Sequence, residues 1–337
     1  VKRASIKDIA RLAGVAHSTV SRALRSSPLV NAETARRIRL LAEQSGYRPS
    51  AAARSLVTRR SATVGVVVTN IADPFAAEAV LGIEDAATGH DYAVILANSN
   101  GEAERELKVA RAFEERRVDG IIVTSSRVGA IYAEQLSAAR VPIVLLNNQH
   151  PSEFMHSVMI GNAGASLAAT RHLIALGHRR IAYIGDRNGC QSDAERFGGY
   201  RAALDDAGLA FRPEYVIHGD GRPEGGTAAM CALLDLVPAP TAVFCYNDMT
   251  ALGALRAAAD RGVGVPASLS VAGFDDLFFA RYCAPPLTTV RQPMREMGRL
   301  AFEILLKLAG GDSAPPSVKV PGQLIVRQST APPREDA

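Results

Sequence analysis

The chain has 337 residues, of which 47% are hydrophobic and 21% charged, a globular balance that excludes a disordered or collagen-like polymer. At ~150 residues per domain this length suggests two or three compact units. The apolar runs at 66–68 and 143–146 fall far below the ~18 residues of a membrane span, and no opening stretch reads as a secretory leader, so a cytoplasmic, nucleoid-associated protein without a membrane partner is expected.

The charge is unevenly placed. Residues 1–60 hold 13 Lys/Arg against 3 Asp/Glu, a net of +10, while the rest of the chain holds 25 against 31, a net of −6. A small basic head on a large acidic body points to a polyanion-binding module joined to something that does not bind polyanions.

In the head, Ser5 caps a first helix and Asp8 completes a box-like signature, with Ile6, Ile9, Ala10 and Ala13 at helical spacing and Gly14 as the stop. A second short helix is expected over 17–25 with Val20, Ala23 and Leu24 inward. A third is capped by Asn31, faces the core through Ala35, Ile38, Leu41 and Ala42, and stops at Gly46. Such a helix-turn-helix places its second helix in the DNA major groove. His17, Ser18, Ser21 and Arg22 point outward there, and Arg22 suits bidentate contact with guanine. Thr19, Ser21, Asn31 and Tyr47 suit phosphate contacts that set register. Residues 50–57, alanine-rich after Pro49, are too few for a stable isolated helix and are expected to be helical only against a partner or DNA. Leu56 is then suited to wedge between base steps in the minor groove.

From Thr63 onward β-rich runs alternate with amphipathic helices. Strands are expected at 64–69, 92–97, 120–124, 142–146, 158–160, 181–184, 215–218, 242–245, 269–272 and 288–291. Helices are expected at 75–87, 102–115, 131–139, 163–176, 195–207, 224–236, 249–261 and 294–308. This alternation predicts parallel sheets covered by helices, and ten strands make two sheets more easily than one. Ligands in such folds sit beyond the carboxyl ends of strands. Those ends supply Asn70, Asp73, Phe75, Asn98, Ser125, Asn147, Arg196, Asn247, Phe274 and Asp275 as candidate contacts. Amides, carboxylates and one Arg suit a polyhydroxylated ligand, with Phe75 and Phe274 covering a sugar's apolar faces.

No cofactor loop, P-loop, nucleophile elbow or zinc-protease motif is present, and the seven His do not cluster, so neither a catalytic residue, a metal nor a cofactor is expected. Cys190, Cys231, Cys245 and Cys283 are widely spaced and read as buried free thiols.

Two groups of motifs carry a family resemblance. In the head, Ile6-Lys7-Asp8-Ile9-Ala10, Ala13-Gly14-Val15, Thr19-Val20-Ser21-Arg22, Gly46-Tyr47-Arg48-Pro49 and Ala53-Arg54-Ser55-Leu56 resemble the DNA-binding head of the lactose/galactose-repressor (LacI/GalR) family. In the body, Asp119-Gly120-Ile121-Ile122, Leu176-Gly177-His178-Arg179-Arg180, Arg196-Phe197-Gly198-Gly199-Tyr200, Asn247-Asp248, Gly273-Phe274-Asp275-Asp276 and Pro286-Leu287-Thr288-Thr289-Val290 resemble its effector domain. The resemblance implies an all-α helix-turn-helix head (1–48), a hinge helix and linker (49–61) and an α/β two-lobed body of periplasmic-binding-protein type. Its lobes would be 62–161 plus 291–319 and 162–290 plus 320–330, with three crossings. It puts His17, Ser18 and Arg22 at base-reading positions, Leu56 at the hinge leucine, and Arg196, Asn247 and Asp275 at effector contacts.

Two departures alter the pocket: Gly219-Asp220-Gly221 lacks the aromatic that members often carry there, and Gly161-Asn162 replaces the frequent Asp-Asn. The expected molecule is a homodimeric repressor of a palindromic DNA operator, controlled by a sugar or sugar derivative, with an interface on the helix from Met249 and on 278–285. The alternative is a transport-type sugar-binding protein without DNA binding, which leaves the basic head unexplained.

Overall fold

The computed structural model describes residues 4–24, 26–47, 60–126, 141–148 and 156–334. They form two compact units, Val1–Ala62 and Thr63–Ala337.

The first unit is a three-helix head. In α1 (Ile6–Ala13) the Ser5 hydroxyl accepts from the Asp8 amide, while the Asp8 carboxylate accepts from the Ser5 amide at 3.0 Å. This reciprocal cap satisfies two amide donors, and Gly14, at φ 64°, takes the left-handed turn that ends the helix. Helix α2 (His17–Leu24) follows, and α3 (Ala32–Gln44) is capped by Asn31, whose Oδ1 accepts from the Glu33 amide. Ile9, Val20, Ala23 and Ile38 are fully buried between the three helices. Arg37 donates to the Ala13 carbonyl at 2.7 Å and so ties the end of α1 to α3.

The second unit opens with β1 (Thr63–Val68), α4 (Pro74–Gly89), β2 (Ala93–Asn98), α5 (Ala103–Glu115), β3 (Gly120–Thr124), β4 (Ile143–Leu146) and β5 (Ser157–Ile160). Then come α6 (Asn162–Ala175), β6 (Ile181–Asp186), α7 (Gln191–Asp206), β7 (Val216–Gly219), α8 (Pro223–Leu234), β8 (Ala242–Cys245), α9 (Asp248–Asp260) and β9 (Ser270–Ala272). It closes with β10 (Thr289–Arg291), α10 (Met294–Gly310), β11 (Ser317–Val320) and β12 (Gln323–Ile325).

The described strands form two parallel sheets, one ordered β11-β5-β4-β3-β1-β2 and one ordered β7-β6-β8-β9, plus an antiparallel ribbon β10-β12. The chain leaves the first sheet after β5, returns through β10 to α10 and β11, and crosses again through β12. Beyond β12 it lies along β9, where the Val271 amide donates to the Ser329 carbonyl.

Strands β1, β3 and β4 are near-continuous buried aliphatic runs, as sheets covered on both faces require. Helices α4 and α10 pack backbone to backbone. A Cβ on Gly82 would stand 2.0 Å from the Arg295 carbonyl oxygen, and one on Gly298 would stand 2.1 Å from that of Ala79. Only glycine permits that approach.

Three expectations need correction. Strands β11 and β12 fall outside the expected set: β11 alternates polar and apolar residues but has only four of them, and β12 has only three, too few for a periodic signal. Helix α7 starts at Gln191 rather than at 195, since Cys190 precedes it without a side-chain cap. Two of the four free thiols, Cys231 and Cys283, are half-buried. The helix expected at 131–139 and Leu56 with most of the hinge lie outside the described residues.

Candidate functional site

On the head, α2 presents His17, Ser18 and Arg22 as exposed side chains on the side away from Val20 and Ala23. Thr19 and Ser21 are half-buried beside them. Asn31 has its side-chain oxygen committed to capping α3, so only its NH2 end suits a phosphate. Tyr47 packs half-buried on the head core, and burial raises its phenol above the ordinary range, which keeps it a donor.

In the second unit a cavity of about 520 Å³ lies at the carboxyl ends of strands from both sheets. Asn70, Asp73 and Phe75 follow β1, Ser125 follows β3, Asn147 follows β4, and Asn247 and Asp275 follow β8 and β9. These seven and Arg196 of α7 all line it, as strand-end geometry predicts. Several linings hold left-handed backbone: Ser125 (φ 48°), Asn147 (φ 54°) and Asp275 (φ 125°). Non-glycine residues persist there only where surrounding structure imposes it.

Arg196 is held from every side. Its Nε donates to Asn162 Oδ1 at 2.9 Å, and one terminal nitrogen donates to the Tyr246 carbonyl at 2.7 Å. The same nitrogen stands 3.9 Å from Asp275, and the guanidinium carbon is 4.7 Å from the Tyr246 ring centroid. Asp275 also accepts from Gln292 Nε2. Burial pushes its carboxyl up to about 7, against the lowering by Arg196 and Gln292, and the charge of Asp73 pushes the same way as burial. Asn247 caps α9 through its Oδ1 to the Thr250 amide and donates to the Gly221 carbonyl, so it also fixes the loop after β7.

Two expected contacts do not line the cavity. Phe274 is fully buried, with the Arg196 guanidinium covering its face, so it supports the site from below. Asn98 turns along its own strand end: its Nδ2 donates to Asn100 Oδ1 at 2.7 Å, and Asn100 takes the place on the cavity wall. The reading of strand ends omitted Tyr246, Gln292, Cys190 and Met249, which also line the wall. Tyr246 directly follows the end of β8, so the same strand-end rule finds it. Its hydroxyl lies 3.0 Å from Ser192 Oγ.

Among the described residues no group of three His, Cys, Asp or Glu could hold a metal ion, and no helix is long and apolar enough to cross a membrane.

Residues 5–50 match the family described as bacterial regulatory proteins, lacI family, and residues 170–330 match a periplasmic binding protein-like domain. Catabolite control protein A of Priestia megaterium is 36% identical over 328 residues, covering 97% of this chain and 99% of its own. The chain belongs to the lacI family. The repressor CytR of Escherichia coli K12 is 35% identical, over 97% of this chain and 96% of its own. Among solved structures, the lac repressor dimer bound to operator and the anti-inducer ONPF matches with a TM-score of 0.89 at 27% identity, covering 98% of this chain and all of that one. The regulator CelR in complex with cellobiose matches at 0.75 and 33%, covering 97% of this chain and 100% of that one. This lacI-family chain is a transcriptional repressor with a DNA-binding head and an effector-binding body, and not an enzyme.

Proposed function

We propose that this repressor binds a palindromic operator as a homodimer and releases or grips it according to a polyhydroxylated effector, a sugar or sugar derivative, held in the strand-end cleft. The observation that carries this reading is the cleft: amides, carboxylates and a locked guanidinium from two sheets converge on one cavity of about 520 Å³, the size and polarity of a small-ligand site. The head supplies the second half, with His17, Ser18 and Arg22 for bases and Thr19, Ser21, Asn31 and Tyr47 for the backbone. Leu56 of the hinge is the wedge into the minor groove.

The dimer reading is supported by exposed apolar side chains on the segments the family resemblance indicates. Phe278 and Tyr282 are 68% and 77% exposed, and Leu252 on α9 is exposed as well. Exposed apolar side chains on these segments are surface that a subunit contact would cover. An isologous pair then presents two heads to two half-sites. The proposed limits are 1–48 for the head, 49–61 for the hinge, and 62–161 plus 291–319 and 162–290 plus 320–330 for the two lobes. Effector closure of the cleft changes the spacing of the paired hinges, and a coupling of ~1–3 kcal/mol shifts operator affinity about 5–150-fold.

Selection from randomised duplex oligonucleotides tests this reading. The expected result is enrichment of a two-fold symmetric site, bound by two chains, with a steep salt dependence on random duplex DNA. Enrichment of an asymmetric site bound by one chain, or of none, overturns it.

A further inference from the structure

The charge and hydrogen-bond inventory of the cleft is lopsided. Asp73, Asp186, Asp220, Glu224 and Asp275 line it, against the guanidiniums of Arg196 and Arg222. Arg196 is engaged inside the protein by Asn162, the Tyr246 carbonyl and the Phe274 ring, while Arg222 is exposed at the start of α8. Two of the carboxylates are drawn toward donors on their own side of the cleft: Asp186 accepts from Asn188 and from the Cys190 thiol, and Asp220 accepts from Arg187 and from the Arg222 amide.

Asp73 and Asp275 both line the cleft. They follow strands of different sheets, and the charge of Asp73 adds to the rise of the Asp275 carboxyl that burial dominates, while Arg196 and Gln292 oppose it. Beside them lies an acceptor that no protein group satisfies. Gln292 is 4% exposed, its Nε2 donates to Asp275, and its buried Oε1 has no hydrogen-bond partner. A buried acceptor is costly to leave without a donor, and Gln292 lies in the cleft wall where a ligand can supply one. Two carboxylates and an amide oxygen converge where the strand ends of the two sheets meet.

We propose that the effector is a hexose-sized polyol carrying a protonated amine, whose ammonium group sits among Asp73, Asp275 and Gln292 Oε1. An ammonium brings three donors and no acceptor. It answers both carboxylates and the orphaned amide oxygen, and it removes the like-charge repulsion that opposes bringing the two lobes together. A neutral polyol satisfies the acceptors but leaves the repulsion. A phosphorylated sugar adds further negative charge to a wall already rich in it. The inference rests on the cleft being the effector site, and it narrows the chemical class of that effector.

The test uses the full-length protein near pH 7 in a thermal-shift titration. The probes are D-glucose, D-galactose and D-mannose, each alongside its amino-deoxy and its phosphorylated counterpart. In at least one series the amino sugar is expected to bind on the order of tenfold more tightly than its neutral partner, and no phosphorylated form to stabilise the protein. Asp73→Asn keeps the helix cap to the Phe75 amide, because Asn caps as well as Asp. In that variant the amine advantage over the neutral sugar is expected to collapse toward parity. A neutral or phosphorylated form that stabilises best, an advantage unchanged in Asp73→Asn, or no shift from any of the nine probes overturns the inference. The broader reading is judged separately, by the operator selection, and survives if a neutral sugar wins.

Discussion

The guanidinium carbon of Arg196 lies 3.7 Å from the centroid of the Phe274 ring, and both residues are buried. The ring holds the guanidinium flat while Asn162 and the Tyr246 carbonyl fix its rotation in the plane. A planar fork is needed for all three, and a lysine ammonium cannot supply it. Arg196→Lys is therefore expected to cost about 2–4 kcal/mol of stability, since it strands buried acceptors and moves the positive charge nearest Asp275. Urea unfolding of the second unit measures it. Binding to random duplex DNA at low salt should be unchanged, because the head has its own core. A loss under ~0.5 kcal/mol would show that a lysine side chain recovers the contacts.

A second prediction concerns acid. His178 is buried beside the final described segment: its Nε2 donates to the Ala331 carbonyl at 2.9 Å, and its Nδ1 faces Thr241 Oγ1 at 2.9 Å. Burial lowers its pKa, the Ala331 hydrogen bond opposes that, and nearby His172, itself lowered by burial, adds to it. A histidine that is harder to protonate when folded than when unfolded stabilises the fold fully above its unfolded value of about 6.5. That contribution is lost as pH falls below it, because the unfolded chain then binds the extra proton. Between about pH 7 and 5 this loss runs against the gain from Asp275 and Glu106, whose raised carboxyls take up a proton in the fold first, so the histidine contribution is read as a difference: His178→Gln is expected to lower the urea midpoint at neutral pH and to narrow its gap to the wild type as pH falls. A gap between variant and wild type that stays constant across that range would exclude His178 as an acid-sensitive group.

How much of the cleft could be read in advance depended on backbone position more than on residue type. Asn70, Asp73, Ser125 and Asn147 were legible because strand ends in parallel sheets face ligands whatever the side chain. Phe274 was misread because a phenylalanine at a strand end can turn outward to a ligand or inward under an arginine, and only the Arg196 contact decides. Tyr246 was passed over for the converse reason: an aromatic next to a buried strand reads as core, yet its ring forms cavity wall. Gln292 carried no local signal at all. It reaches the site because β10 crosses between the sheets and its amide donates to the Asp275 carbonyl, a relation set by tertiary topology. Likewise the ends of α1 and α3 were legible from Ser5, Gly14 and Asn31, which act through their own backbone.

The third prediction tests the crossing strands. Asp276, 3% exposed at its side chain, accepts from Arg291 Nε at 2.8 Å and from Arg327 on the segment after β12. One carboxylate thus ties both crossing segments to the loop that carries Asp275. Asp276→Asn preserves volume but leaves Arg327, 14% exposed, without its anion. A loss of about 3–5 kcal/mol is expected, as for removing one partner of a buried pair. Asp260→Asn breaks an exposed pair with Arg256 and serves as the control, with no resolvable change expected. Equal effects of the two variants would show that the crossing strands do not depend on the Asp276 clamp.

The last prediction separates reading from gripping on the head. Arg22 is exposed on α2 and has the fork that matches a guanine edge, while Thr19 is half-buried beside it with a hydroxyl suited to a phosphate. Arg22→Ala should weaken the selected operator by about 1–3 kcal/mol and relax the preference at one base position in each half-site. Thr19→Val, which keeps the shape and removes the hydroxyl, should weaken selected and random duplexes by similar factors. Leu56→Ala should resemble Arg22→Ala in costing the selected operator more than random DNA, because a wedge acts only where the central step is opened. It should differ by leaving half-site base preferences intact. Competition binding of the three variants on the selected operator, its half-site mutants and random duplex distinguishes these patterns. Equal losses on selected and random DNA for Arg22→Ala would move Arg22 from the base edge to the backbone.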